Sequence, residues 1–181
     1  MTSGIGQTSF SNDNPVAKAG MILSDAEDTV IETLICGATA IDFGIVVELV
    51  NGLAIPAQGT GDPDANVLYG ISIYKDTLEG PIGGASTPLP YQPGDNIPVL
   101  RRGRIAAQCV SGTTVTPGGV ARISHSSTTA ALQGVITSAA ASGVAGSEVS
   151  AMANGGLIFD KKDLGLASAS VPLVAVQISA P

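Results

Sequence analysis

The sequence predicts an all-β protein: a single compact β-sandwich or barrel domain with an extended N-terminal arm and little helix. Three observations carry that reading. Glycine and proline account for 23 and 11 of the 181 residues, which suits many tight turns and breaks long helices. The apolar share is 44% against 13% charged, enough material for a packed core. Runs of strand length, rich in β-branched residues, recur between turn pairs. With 3% aromatic residues and no tryptophan, that core must be built from valine, isoleucine, leucine and alanine.

Residues 1–20 read as the arm and 21–181 as the β-domain. "SGIGQTSFSNDNP" offers only two large apolar anchors, Ile5 and Phe10, and a segment of this kind drapes over its own chain or over a neighbour. The first ten residues lack a basic region and an apolar core, so no secretory signal is expected. Ser24 and Glu27 have the spacing of a capping box, but the Thr/Val/Ile content of "DTVIETLICG" favours a strand ending at Gly37. "AIDFGIVVELVNG" is the next strand, closed by the turn pair Asn51-Gly52. A polar loop, "AIPAQGTGDPDAN", follows. In "VLYGISIYKDT" the apolar set Val67, Tyr69, Ile71 and Ile73 shares one parity and is expected to face inward.

The prolines of "LEGPIGGASTPLPYQPGDN" exclude a helix there. Pro93-Gly94 and Pro117-Gly118 mark turns beside the strands "NIPVLRRGRIAAQCVSG" and "TTVTPGGVARISHSS". "ALQGVITSAAASG" and "SEVSAMANGGLIFD" are further short strands. "SVPLVAVQISAP" is the last, with Val174, Val176 and Ile178 on one face and Pro172 near its start, where a missing N–H is tolerated.

Against this framework little chemistry emerges. His125 is the only histidine and lies in "ISHSSTT", without the glycine pattern of a nucleophile elbow; it reads as an exposed loop residue. One histidine and two distant cysteines, Cys36 and Cys109, give no zinc spacing, and the cysteines read as buried thiols. Asp62, Asp64 and Asn66 begin like a calcium loop, but Val67 and Ile73 stand where that loop needs glycine and glutamate. An acidic turn with Asx hydrogen bonds is the plainer reading. No phosphate loop or dinucleotide fingerprint is present, and Asp25, Glu27 and Asp28 read as a solvated acidic face. No catalytic residue, metal site or cofactor is therefore expected, and the protein is expected not to be an enzyme. The net charge of −7 and the scarcity of stacking rings argue against nucleic acid. The most apolar run, "GIVVELV", is interrupted by Glu48, far short of the ~18 residues of a membrane span.

One cluster stands out. Arg101, Arg102 and Arg104 are three of the chain's eight basic residues. Gly103 among them permits a bend or bulge, so the cluster marks a turn between two strands. Pairing with carboxylates inside the domain or across an assembly interface suits guanidinium groups there better than phosphate binding.

These residues carry a resemblance. "YQPGDNIPVLRRGRIAA" resembles a segment of the phage structural cement (capsid decoration) proteins, in which a Y-x-P-G-D turn precedes a strand pair rich in arginine. "GQTSF", "AKAGMILSD", "AIDFGIVVELVNG", "VLYGISIYKDT", "VTPGGVARIS" and "VPLVAVQIS" resemble further segments of that family in the same order. Ala106-Ala107 replace an expected aromatic, the stretch from Glu79 to Pro93 is longer, and "ANGGLIFDKKDLGLASAS" has the look of an insertion. The resemblance implies a capsid cement protein on the outer surface of the expanded capsid, bridging and stabilising neighbouring major capsid subunits. It implies the major capsid protein as partner and a homo-oligomer, a trimer in preference to a dimer. It also implies residence in the virion after synthesis in the host cytoplasm. Ile5, Phe10, Arg101, Arg102 and Arg104 are then the candidate interface or ion-pair residues. A phage tail or fibre module, or a small carbohydrate-binding β-domain, is the alternative; the absence of tryptophan weighs against sugar stacking.

Overall fold

The computed structural model describes residues 18–23, 29–58, 67–75, 89–111, 113, 115–124, 133–138, 157–161, 166–168 and 171–178. Ten strands run through them: β1 (Val30–Cys36), β2 (Val46–Val50), β3 (Leu53–Pro56), β4 (Val67–Ser72), β5 (Asn96–Gln108), β6 (Arg122–Ser124), β7 (Val135–Thr137), β8 (Leu157–Lys161), β9 (Leu166–Ser168) and β10 (Val171–Ile178). The fold is all-β, and no helix of the described residues is long and apolar enough to cross a membrane.

The large sheet runs β1-β3-β2-β4-β5-β10-β8, and β1 also pairs with β5. Five strands therefore close a ring, β1-β3-β2-β4-β5, which is a small barrel; only the β1–β3 pairing in it is parallel. Asn51-Gly52 closes the β2–β3 hairpin, with Val50 opposite Leu53. β5 then leaves the barrel and pairs antiparallel with β10, which in turn pairs with β8 and β9. β6 and β7 form a separate two-stranded sheet. The segment that resembles an insertion thus supplies β8 and β9, two neighbours of the last strand.

Two apolar cores lie on opposite sides of the shared wall. Cys36, Val47, Ala54, Ile97 and Val99, with Leu34 and Tyr69 packed against them, fill the barrel. Val46, Ile71 and Leu100 face outward and join Ile105, Ala107, Ile123, Ile136, Phe159, Val174, Val176 and Ile178 in the second core. The shared wall is close-set: a Cβ on Gly70 would stand 2.3 Å from the Leu100 carbonyl oxygen, so only glycine lets β4 and β5 approach there.

Strand β5 serves both cores by changing parity. Ile97 and Val99 point into the barrel, Leu100 into the second core, and Ile105 and Ala107 again into the second core. The switch needs one extra residue. The β1–β5 register shifts between Val30 (opposite Arg102) and Ile31 (opposite Leu100), and Gly103 adopts φ 127°, open to glycine. The arginine cluster therefore lies on a bulge within one continuous thirteen-residue strand, not on a turn between two strands. β4 departs from its expected alternation for the same reason. Its register with β2 shifts between Val47 and Glu48, so Tyr69 packs with the barrel while Ile71 and Ile73 belong to the second core.

The residues before β1 cover the other side of β5. Gly20 N–H donates to the Ala106 carbonyl at 2.7 Å and Leu23 N–H to the Arg104 carbonyl at 2.8 Å. Ala19 and Leu23 thereby pack over Ala106 and Leu173.

Candidate functional site

The β5 bulge gives two of the arginines separate tasks. Arg101 keeps the barrel-facing parity but sits at its end, where β1 and β4 bring Glu32 and Tyr69. Its Nη1 lies 3.3 Å from each carboxylate oxygen of Glu32, and its guanidinium stacks 4.1 Å from the centroid of the Tyr69 ring. The Tyr69 hydroxyl donates to Glu32 as well. That hydroxyl, and secondarily Arg101, hold the Glu32 carboxyl below the usual carboxylate range against partial desolvation, while the same contact pushes the Tyr69 phenol up. Only one nitrogen of Arg101 engages, so the pair lacks the fork-to-fork geometry of the strongest Arg–carboxylate contacts. The side chains are 30% and 42% exposed, which places the pair among surface bridges of small stabilising effect.

Arg104, beyond the bulge, reaches across β10. Its Nε donates to Asp160 Oδ2 at 2.9 Å, and its Nη2 contacts the same oxygen. Asp160 belongs to β8, and Gln177 of β10 stands opposite both Arg104 and Ile158. The pair thus ties three adjacent strands. Arg102 faces the other way, exposed, opposite Val30. The arginines are neighbours in sequence but do not converge on one anion. Ile5, Phe10, His125, the Asp62/Asp64/Asn66 loop and the Asp25/Glu27/Asp28 group lie outside the described residues.

Two surface features have no counterpart among the candidates read from the sequence. Ile31, Ile35 and Leu53 are 47%, 50% and 41% exposed, and Ile35 is the register partner of Leu53, so β1 and β3 carry an apolar stripe on the outside of the barrel. The signal was present: "VIETLIC" is apolar on both parities, and one of them must face outward. The second feature is a cleft of about 200 Å³ lined by Thr39, Asp42, Ile45, Pro56, Gln108 and Gln133. Its carrier is the turn between the Ile41–Tyr91 bridge and β2.

That turn is clamped on both sides. Ser72 Oγ donates to the Asp42 carbonyl at 2.6 Å, and Gly44 N–H donates to the Ser72 carbonyl at 2.9 Å. Gln108 donates its side-chain N–H to the Phe43 carbonyl at 2.8 Å and its backbone N–H to the Gly44 carbonyl at 2.8 Å. Ile41 and Tyr91 exchange backbone hydrogen bonds at 3.0 and 2.9 Å. The cleft walls push the Asp42 carboxyl up from its ordinary value by desolvation. The cleft brings together one carboxylate, one hydroxyl and two amides, a set of hydrogen-bonding groups without a nucleophile–base pair. Cys36 and Cys109 are buried free thiols, and burial pushes the Cys36 thiol up, which keeps it in the unreactive protonated form. Among the described residues no three metal-ligating side chains cluster.

Comparison with known proteins adds the context. A family model described as "Structural cement protein (E217 gp24/Pam3 gp6)" of the phage cement family matches residues 6–177. A chain from the solved structure titled "The capsid of Myoviridae Phage XM1" shares the fold with a TM-score of 0.61 at 18% identity, over 87% of this chain and 88% of that one. No curated protein matches the sequence.

Proposed function

The chain belongs to the phage structural cement protein family, and we propose that it binds the outer surface of the expanded capsid and bridges neighbouring major capsid subunits. Its role is structural and lies in the capsid of the virion. The observation that carries the proposal is the family match across residues 6–177, which takes in most of the arm as well as the β-domain.

The physical mechanism is linkage. A protein that binds only the expanded lattice stabilises that state by mass action. Each copy that touches more than one coat subunit gains through effective concentration, so modest contacts suffice. The part of the arm before Lys18 reaches a neighbouring subunit, with Ile5 and Phe10 as its anchors. Arg101 and Arg104 are engaged within the domain. The protein acts as a homo-oligomer, a trimer in preference to a dimer, and catalyses no reaction. An acidic chain of net charge −7 also avoids competing for packaged DNA.

The test is calorimetry of expanded capsids with and without the purified full chain. Saturating addition raises the capsid melting temperature, and immature capsids show no such rise. An unchanged transition, or equal binding to both forms, would contradict the proposal.

A further inference from the structure

The Asp42 cleft has properties that the fold itself does not use. The backbone around Asp42 is held by Ser72, Gln108 and Tyr91, but no hydrogen bond or ion pair from the described residues reaches its carboxylate. The carboxylate stands at the mouth of a polar cleft, exposed as a residue and partly desolvated by the walls. Around it are the Thr39 hydroxyl and the Gln108 amide, whose nitrogen is already committed to the Phe43 carbonyl and whose oxygen is therefore left to accept.

The size of the cleft selects among ligands. Small-molecule sites fill roughly 300–1,000 Å³, and about 200 Å³ is too little for that class but accommodates one long side chain. The donor set selects further. A single carboxylate with one hydroxyl and amide oxygens is too sparse for calcium, which takes about 6–8 oxygen ligands. An ammonium or guanidinium brings several N–H donors to a few acceptors and needs only one counter-charge. The cation must also come from elsewhere. A coat subunit is the partner that the cement reading supplies, and Arg101 and Arg104 of this chain are engaged in pairs of their own.

We propose that this cleft receives a basic side chain of a coat subunit, with Asp42 as its counter-ion and Thr39 and Gln108 as flanking acceptors. The inference rests on the cement reading above and names the chemistry of one of its contacts. The clamped turn supplies the preorganisation: the backbone that carries Asp42 is fixed before binding, so little backbone ordering cost falls on the contact. The partly desolvated setting of the carboxylate strengthens its attraction to a cation that fills the cleft, which offsets the cost of desolvating the pair.

The experiment is a co-sedimentation titration of the full chain on purified expanded capsids, with three variants. Asp42→Asn weakens binding by about tenfold and flattens its salt dependence, and its melting temperature matches that of the parent. Thr39→Val keeps the charge and weakens binding by a smaller factor, so it reads the cleft even if Asp42→Asn fails to fold. Glu32→Gln makes the same change in net charge at the mouth of the barrel and binds within about twofold of the parent. Parent-like binding by both cleft variants overturns the inference, as does an equal loss in Glu32→Gln. A parent chain that does not bind capsids overturns the cement reading, and this inference with it. A parent that binds while the cleft variants bind equally well removes only the inference.

Discussion

The two cores of this protein are built from different materials. Inside the barrel Phe43 packs edge to face on Tyr74 and Tyr91, with centroids 5.0 and 5.2 Å away, and the Tyr91 hydroxyl donates to the Ile73 carbonyl at 2.7 Å. Among the described residues the second core has Phe159 as its one ring and is otherwise aliphatic or small. The barrel core draws on strands between Val30 and Gln108 with Val135 of β7 added, whereas the second core recruits β6 and β7 and also β8 and β10 from the end of the chain. Directional ring contacts and a buried hydrogen bond give the first core a specific geometry. Nondirectional burial and long-range strand pairing give the second its stability, at the cost of slow loop closure. The cores share β2, β4 and β5 and so form one cooperative unit with two chemistries.

The largest expected effect tests that unity. Phe159→Ala removes the one ring that the described residues place in the second core and lowers stability by about 4 kcal/mol. Near-UV circular dichroism of the tyrosines, which pack with the barrel, should lose its signal at the same reduced temperature as the far-UV strand signal. Two separated transitions would show that the cores unfold independently.

A smaller effect probes the polar anchor of the barrel. Burial, and secondarily the Asp95 carboxylate, push the Tyr91 phenol well above its ordinary value. Above about pH 10 the unfolded phenol ionises while the folded one stays protonated. The unfolded state then binds fewer protons, and stability falls as pH rises. Tyr91→Phe costs about 1.5 kcal/mol at neutral pH through the lost donor to the Ile73 carbonyl, and it removes this alkaline slope. Denaturant melts across pH 8 to 11, on the order of the phenol range, check both. An unchanged slope in Tyr91→Phe would assign the alkaline loss to another group.

The smallest effect lies at the mouth of the barrel. Arg101→Ala lowers stability by less than about 1 kcal/mol, because the pair with Glu32 is largely solvated. The lowered Glu32 carboxyl contributes stability above its unfolded value, near about pH 4.3, and that contribution is lost as pH falls through the lower folded value. Acid melts of Glu32→Gln should be flatter in this range. A loss of several kcal/mol in Arg101→Ala would mean that the mouth, not the ring cluster, organises the barrel.

Sequence patterns gave the strands with local signals. β1 ends before Gly37, the β2–β3 hairpin turns at Asn51-Gly52, and Val174, Val176 and Ile178 share a buried face. They did not give the two bulges, because a bulge is a property of the partner's register, and that register is set across the sheet. One inserted residue at Tyr69 divided an alternating set between two cores. Another near Arg101 turned what reads as two strands into one. The Arg104–Asp160 pair spans 56 positions and has no local signature. Asp42 is a lone carboxylate in an apolar run, and its cleft exists only after β5 and the segment at Gln133 pack beside it.

An electron cryomicroscopy map of expanded capsids decorated with the full chain tests the central claim most directly. The expected result is β-domain density on the outer capsid surface, each copy contacting at least two coat subunits. Density confined to the tail or the capsid interior, or copies resting on single coat subunits, would contradict it.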